Sequence, residues 1–226
     1  EGFKLGRELK WKWLFFFIGL MVMSLGVSMI IKGKAIGVSA WDVLHVALFH
    51  HIGLTVGTWS ILTGVVIVGS TSLYLKEWPK LATIINMLLC GTFIDFFNWI
   101  LPNSTGLIVD YIYFLLGVIV LGIGCALYIS PNLGAGPRDT LMIIISEKFS
   151  LSIGSARLLM EALIACIGWL LGGPIGLGTI IIAFFTGYIV QSALPFFRNM
   201  LHTKLNESLT DNVFPSRKTD KLAKES

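Results

Sequence analysis

Gly37-Val38-Ser39-Ala40-Trp41-Asp42 and Gly134-Ala135-Gly136-Pro137-Arg138-Asp139 are two versions of one stretch, and the fold turns on how they are read. Each follows a long apolar run and precedes a short amphipathic one. Each is written as a helix start. In the first, Ser39 takes the cap position with Asp42 three residues on, a Ser-x-x-Asp variant of the capping box. In the second, Gly136 takes the cap and Pro137 the first helical position, where a missing N–H costs nothing. Both place an Asp in the first turn, where the positive end of the helix dipole favours a carboxylate.

Six apolar runs flank these stretches, at approximately 13–31, 54–75, 81–101, 111–130, 152–172 and 175–195. Each is long enough to cross a hydrocarbon core of roughly 30 Å, which takes about 20 helical residues. Segments 40–51 and 137–149, opened by the two stretches, reach only about 18–20 Å as helices and are too short to span. They are expected as re-entrant or interfacial helices. The halves align almost end to end. At an offset of 97, Gly37 matches Gly134, Asp42 matches Asp139, Leu44 matches Leu141, Leu54 matches Leu151 and Gly57 matches Gly154. At 98, Gly19 matches Gly117 and Gly26 matches Gly124, and at 96 Gly91 matches Gly187. The expected organisation is a basic N-terminus at 1–12, a first repeat at 13–101, an outer loop at 102–110, a second repeat at 111–197, and a polar, disordered tail at 198–226. The fold class is an all-α transmembrane bundle of six spans and two short helices.

Composition agrees. The 226 residues are 55% hydrophobic and 13% charged, with a mean hydropathy of +0.81, whereas soluble domains carry about a quarter charged residues. The net charge of +4 crowds into residues 1–12, short loops and the tail, so it reads as a topology signal and excludes a nucleic-acid footprint. If the short helices do not cross, Lys4, Arg7, Lys10, Lys12, Lys76, Lys80, Arg138, Lys148, Arg198 and Lys204 share one side, and only Lys32 and Lys34 lie on the other. The positive-inside rule then puts both termini in the cytoplasm. Three spans per half is an odd number, so the second half is inverted relative to the first. Trp11, Trp13 and Trp78 fall at the inner interface and Trp99 and Trp169 at the outer. Ser24 and Ser28, Ser60 and Gly64, and Ala183 and Gly187 are small pairs four apart, suited to close helix contact. The uncharged run from Trp13 to Ile31 exceeds a signal-peptide core and lacks a small-x-small site after it, so it is expected to be a retained span.

Over roughly residues 10–197 the chain resembles the YczE/YitT group of bacterial integral membrane proteins. The resemblance rests on Gly37-x-Ser-x-Trp-Asp42, on Leu54-Thr55-Val56-Gly57-Thr58, and on Gly134 to Asp139 with the glycines before it. It implies a multi-pass protein of the bacterial cytoplasmic (inner) membrane. The family brings no established activity and no catalytic residue.

Site chemistry follows from cost. An ionisable group within a span is expensive and faces the bundle interior or a wet cavity. Ser39, Asp42, Arg138 and Asp139 stand at the paired helix starts, where inverted-repeat transporters hold substrate, and Asp95 with Asn98 shares one face of the third span. These six are nominated for substrate binding, with simple helix capping as the alternative for Asp42 and Asp139. Arg157 and Glu161, one turn apart in the fifth span, are nominated for ion coupling, the alternative being a pair that neutralises itself. His45 shares a face with Asp42, and His50 and His51 end that helix, but no His-Glu-x-x-His or paired cysteine accompanies them, so no metal and no cofactor are expected. Cys90, Cys125 and Cys166 read as small hydrophobes in helix packing. Without a Gly-x-Ser-x-Gly or Walker loop, no enzyme is expected. The chain therefore reads as a small secondary transporter or permease, with the lipid bilayer and a small solute or ion as partners. The rival is a membrane-embedded regulatory or accessory protein acting through a membrane or cytoplasmic protein partner. A homo-oligomer stays open.

Overall fold

The structure, a computed structural model, describes residues 2–33, 36–134, 136–151 and 153–205. Lys34, Ala135 and the tail from 206 onward lie outside the described residues, as do the side chains of Lys4, Arg7 and Lys204. Among the described residues the chain is all helix: α1 (Gly2–Lys32), α2 (Ala40–Ile52), α3 (Val56–Leu75), α4 (Leu81–Ile100), α5 (Leu107–Ile129), α6 (Pro137–Lys148), α7 (Ile153–Leu170) and α8 (Leu177–Leu205). The starts of α2 and α6 follow from their caps. Ser39 accepts a hydrogen bond from the Asp42 N–H, and Pro137 stands at the first position of α6 behind Gly136. Gly53, at φ 87°, ends α2 by donating its N–H to the Phe49 carbonyl.

The ends of three helices depart from expectation. α1 starts at Gly2, since the lysines, leucines and glutamate before Trp13 are good helix formers and nothing there stops the helix. α5 starts at Leu107, with Gly106 at its cap and Asp110 in its first turn. α8 continues through Pro195 to Leu205, so the tail begins as helix.

Five helices among the described residues are long and apolar enough to cross a membrane: Leu9–Lys32, Val56–Leu75, Leu81–Ile100, Leu107–Ile129 and Leu177–Thr203. α7, expected as a sixth span, has 18 residues, about 27 Å at 1.5 Å per residue, and carries Arg157 and Glu161.

α1 and α5 form the centre. Their contacts run from Gly19 against Tyr128, through Gly26 against Leu121 and Gly124 against Met23, to Gly33 against Asp110, so the two helices are antiparallel. At Gly19, Gly26 and Gly124 a side chain would collide with the partner's backbone. α4 packs on α1, where the Ser24 and Ser28 hydroxyls donate to the Cys90 and Ile94 carbonyls at 3.3 and 3.0 Å. α8 packs on α5, with Ile189 seated over Gly122. Outside this layer α3 lies on α4, α2 on α7, and α6 touches both α3 and α7. Of the small pairs expected at helix contacts, Ser24 with Ser28 and Ser60 with Gly64 are there, Gly64 facing Met87. Gly187 is not: a side chain there would meet nothing within 4 Å.

Candidate functional site

The short helices enter from opposite ends of the bundle. At the end of α2, near the start of α3, His51 Nε2 bonds the Leu171 carbonyl at 2.7 Å. At the end of α6, Lys148 Nζ lies 5.3 Å over the Tyr74 ring, near the end of α3. Their N-termini meet between these ends, where the Arg138 guanidinium sits 4.8 Å over the Trp41 ring. Trp41 and Arg138 occupy the same place in the two related stretches. The loops before them are held in matching ways. Gly37, at φ 122°, lies against Gly176 and Thr179 at the start of α8, and the Ile36 carbonyl accepts the Gly178 N–H at 2.8 Å. Gly134 lies against Ala82 and Thr83 at the start of α4.

Around this junction is a cavity of about 160 Å³ to which all eight helices contribute. Ser39, Asp42, Arg138, Asp139, Arg157 and Glu161 line it, so six of the eight nominated residues come together. The carboxylates there have donors. Asp42, buried, accepts the Ser39 hydroxyl on Oδ2, and His45 Nδ1 lies 3.4 Å from its Oδ1. His45 is itself fixed through Nε2, 2.9 Å from the Thr63 hydroxyl. Asp139 Oδ2 accepts the Tyr128 hydroxyl at 2.8 Å, and Glu161 accepts from Arg157 Nε at 3.0 Å. That i,i+4 pair was expected, and it forms on the cavity wall rather than away from it.

Asp95 and Asn98 stand apart from the cavity lining. Asp95 Oδ1 accepts the Gly57 N–H at 2.9 Å and Oδ2 accepts the Thr55 hydroxyl, so this carboxylate from α4 closes the first turn of α3. The partner invisible in the local sequence is a helix N-terminus about 40 residues away, whose free N–H groups attract a carboxylate. Asn98, on the next turn of α4, has a buried Oδ1 without a hydrogen-bond partner among the described residues.

The cavity also holds Asn86, Tyr128, Thr179 and Thr186, none of them nominated from the sequence. Asn86 Oδ1, Asp139 Oδ2 and the Tyr128 hydroxyl converge on Gly136, where a side chain would begin 3.4–3.6 Å from all three. A signal for part of this was present. Leu81-Ala82-Thr83-Ile84-Ile85 returns as Leu177-Gly178-Thr179-Ile180-Ile181 at the offset of 96, marking the starts of α4 and α8. Asn86 follows it directly. Tyr128 and Thr186 carry no such mark, since a single hydroxyl in an apolar helix reads as packing.

Comparison with known proteins places this arrangement in a family. The model of the family of unknown function DUF6198 matches residues 10–195. The chain is 49% identical over 189 residues to the uncharacterized membrane protein YczE of Bacillus subtilis (strain 168), covering 84% of this chain and 88% of that protein. It is 30% identical to the uncharacterized protein YyaS of the same organism, covering 81% and 92% of the two chains. An uncharacterized protein of Haemophilus influenzae is 34% identical, covering 80% and 81%. No solved structure matches. The expected YczE resemblance is thereby borne out.

Proposed function

We propose that this chain, which belongs to the DUF6198 family of YczE-like membrane proteins, is a small secondary transporter whose solute site is the central cavity. The observation that carries the proposal is the meeting of two helix N-termini, entering from opposite ends, at a cavity inside an apolar bundle that charged and polar side chains reach. Discontinuous helices of this kind supply N–H groups and dipole ends to a solute at membrane depth. An accessory protein needs only tightly packed halves, and the cavity favours transport over that role.

An inverted 3+3 repeat with α7 as the sixth span is part of this reading. In support, the α1–α5 contact is antiparallel and reciprocal. Gly26 against Leu121 has its counterpart in Met23 against Gly124, and Gly19 against Tyr128 in Ile30 against Gly117, each related by the offset of 98. Such exchange is the mark of a two-fold axis through an interface. Other pairings follow suit: α4 on α1 as α8 on α5, and α2 on α7 as α6 on α3. The pairing of α3 with α4 does not. Gly57 and Gly91 bring α3 and α4 into backbone contact, while Gly187, the counterpart of Gly91, faces open space. Two equivalent halves held in different arrangements are what rocking between access states exchanges. With basic residues inside, the protein sits in the bacterial cytoplasmic membrane with both termini in the cytoplasm.

Solute uptake into proteoliposomes, with and without a proton gradient, tests the function. Arg138→Gln and Asp139→Asn are each expected to lower flux about tenfold or more, the effect of losing one charged contact in the transition state. Asp95→Asn, outside the cavity, leaves flux near that of the unaltered chain. Flux unchanged by both cavity variants overturns the assignment.

A further inference from the structure

Hydrogen-bonding capacity of both signs is left unused in the cavity. On the donor side, Arg138 has no carboxylate within ion-pair distance among the described residues. Its guanidinium carbon lies 4.8 Å from the Trp41 ring centroid and its N–H groups make no hydrogen bond among the described residues, and a guanidinium fork matches a carboxylate in bidentate fashion. Asn86, only 6% exposed, has no partner for its amide Nδ2 among the described residues and lines the same cavity. On the acceptor side, Asp42 Oδ1 makes no hydrogen bond among the described residues, with His45 Nδ1 3.4 Å away. Asp139 is bonded among the described residues through Oδ2, which leaves Oδ1 to accept. A buried polar group without a partner is costly, so the Asn86 Nδ2 and Asp42 Oδ1 atoms favour a ligand that offers each of them one.

Charge narrows the choice. Arg157 and Glu161 cancel within their pair. Arg138, Asp42 and Asp139 remain, together with the N-terminal dipole ends of α2 and α6, each worth roughly half a positive charge. The empty site is thus close to neutral. A ligand with net charge leaves an uncompensated charge in a dry interior, whereas one carrying both signs does not.

We propose that the cavity binds a small zwitterion, a solute with one carboxylate and one ammonium group a few bonds apart. The carboxylate is taken by Arg138 and the Asn86 amide, and the ammonium by Asp139 and Asp42. The identification rests on reading the cavity as a solute site. Size agrees with the chemistry: the volume of about 160 Å³ is close to that of a cavity of about 150 Å³ that holds benzene, a molecule of about six non-hydrogen atoms. Amino acids with short side chains are of that size.

The native cysteines provide the test. Cys90 and Cys125 line the cavity, and Cys166 is exposed and outside it. In the purified full chain in detergent, the rates of modification by N-ethylmaleimide are followed with L-alanine, β-alanine and γ-aminobutyrate, and with propionate and propylamine as single-charge counterparts. At least one of the three zwitterions slows modification of Cys90 and Cys125 by about tenfold, the effect of occupying some 90% of sites by mass action, and leaves Cys166 unchanged. Propionate and propylamine protect far less. Arg138→Gln abolishes the protection while Cys166 reacts at its original rate; Asn86→Ala, which removes no charge, weakens it. Equal protection by propionate or by propylamine overturns the proposal, as does protection by none of the zwitterions. Protection without flux in proteoliposomes overturns transport and leaves the zwitterion site standing. Flux of another solute, without zwitterion protection, does the reverse.

Discussion

Asp95 and Asp139 show how differently two carboxylates in one bundle are used. In the sequence Asp95 stands inside an apolar span, where a charge is costly, and Asp139 at a helix start beside Arg138. Asp95 receives the Gly57 N–H and the Thr55 hydroxyl and so belongs to the start of α3, whereas Asp139 stands in its own first turn facing the cavity. Asp95→Ala is expected to lower stability by about 1–2 kcal/mol, as loss of a helix cap does, with Asp95→Asn milder. Thermal unfolding in detergent reads this directly, and an unshifted transition for Asp95→Ala contradicts the capping role. Ser39, Asp42, Arg138 and Asp139 were legible from the repeated helix start, and Arg157 and Glu161 because charge inside an apolar run is conspicuous. Asn86, Tyr128 and Thr186 were not. Their significance lies in what they face across helices, and no spacing along the chain encodes that.

Among the helices, the most legible features were the short ones. α2 and α6 coincide with 40–51 and 137–149 to within a residue, since Ser39, Gly136 and Pro137 mark their starts. The matched glycines were visible as a pattern but not as a contact. Gly19, Gly26, Gly117 and Gly124 recur seven apart on α1 and α5 and let the two backbones touch. Gly187, found by the same matching, touches nothing, because α7 and α8 do not repeat the contact between α3 and α4. Replacement by Leu separates these cases. Gly26→Leu and Gly124→Leu force the central helices apart and are expected to cost about 1–3 kcal/mol or more, the range of overpacked interiors. Gly187→Leu fills open space and leaves the unfolding transition in place. A transition lowered equally in all three variants contradicts the close α1–α5 contact as the centre of the fold.

For the molecule as a unit, the sequence was legible in its eightfold division and in the likeness of its halves. It was less so in how far each helix runs, since α1 and α8 continue well past the apolar runs used to find them. The proposed inversion of the halves draws its support from the antiparallel α1–α5 contact and from the basic residues near Lys76 and Lys148. Residues 51 and 148 are equivalent under the offset of 97, both exposed, each closing one of the short helices. The decisive measurement is labelling by a membrane-impermeant thiol reagent of single cysteines at 51 and 148, with 76 and 103 marking the two faces, in a chain whose native cysteines are serine. Inverted halves predict that 148 reacts from the same side as 76, and 51 from the opposite side with 103. Residues 51 and 148 reacting from one side would contradict the inverted arrangement and, with it, the meeting of α2 and α6 in a shared cavity.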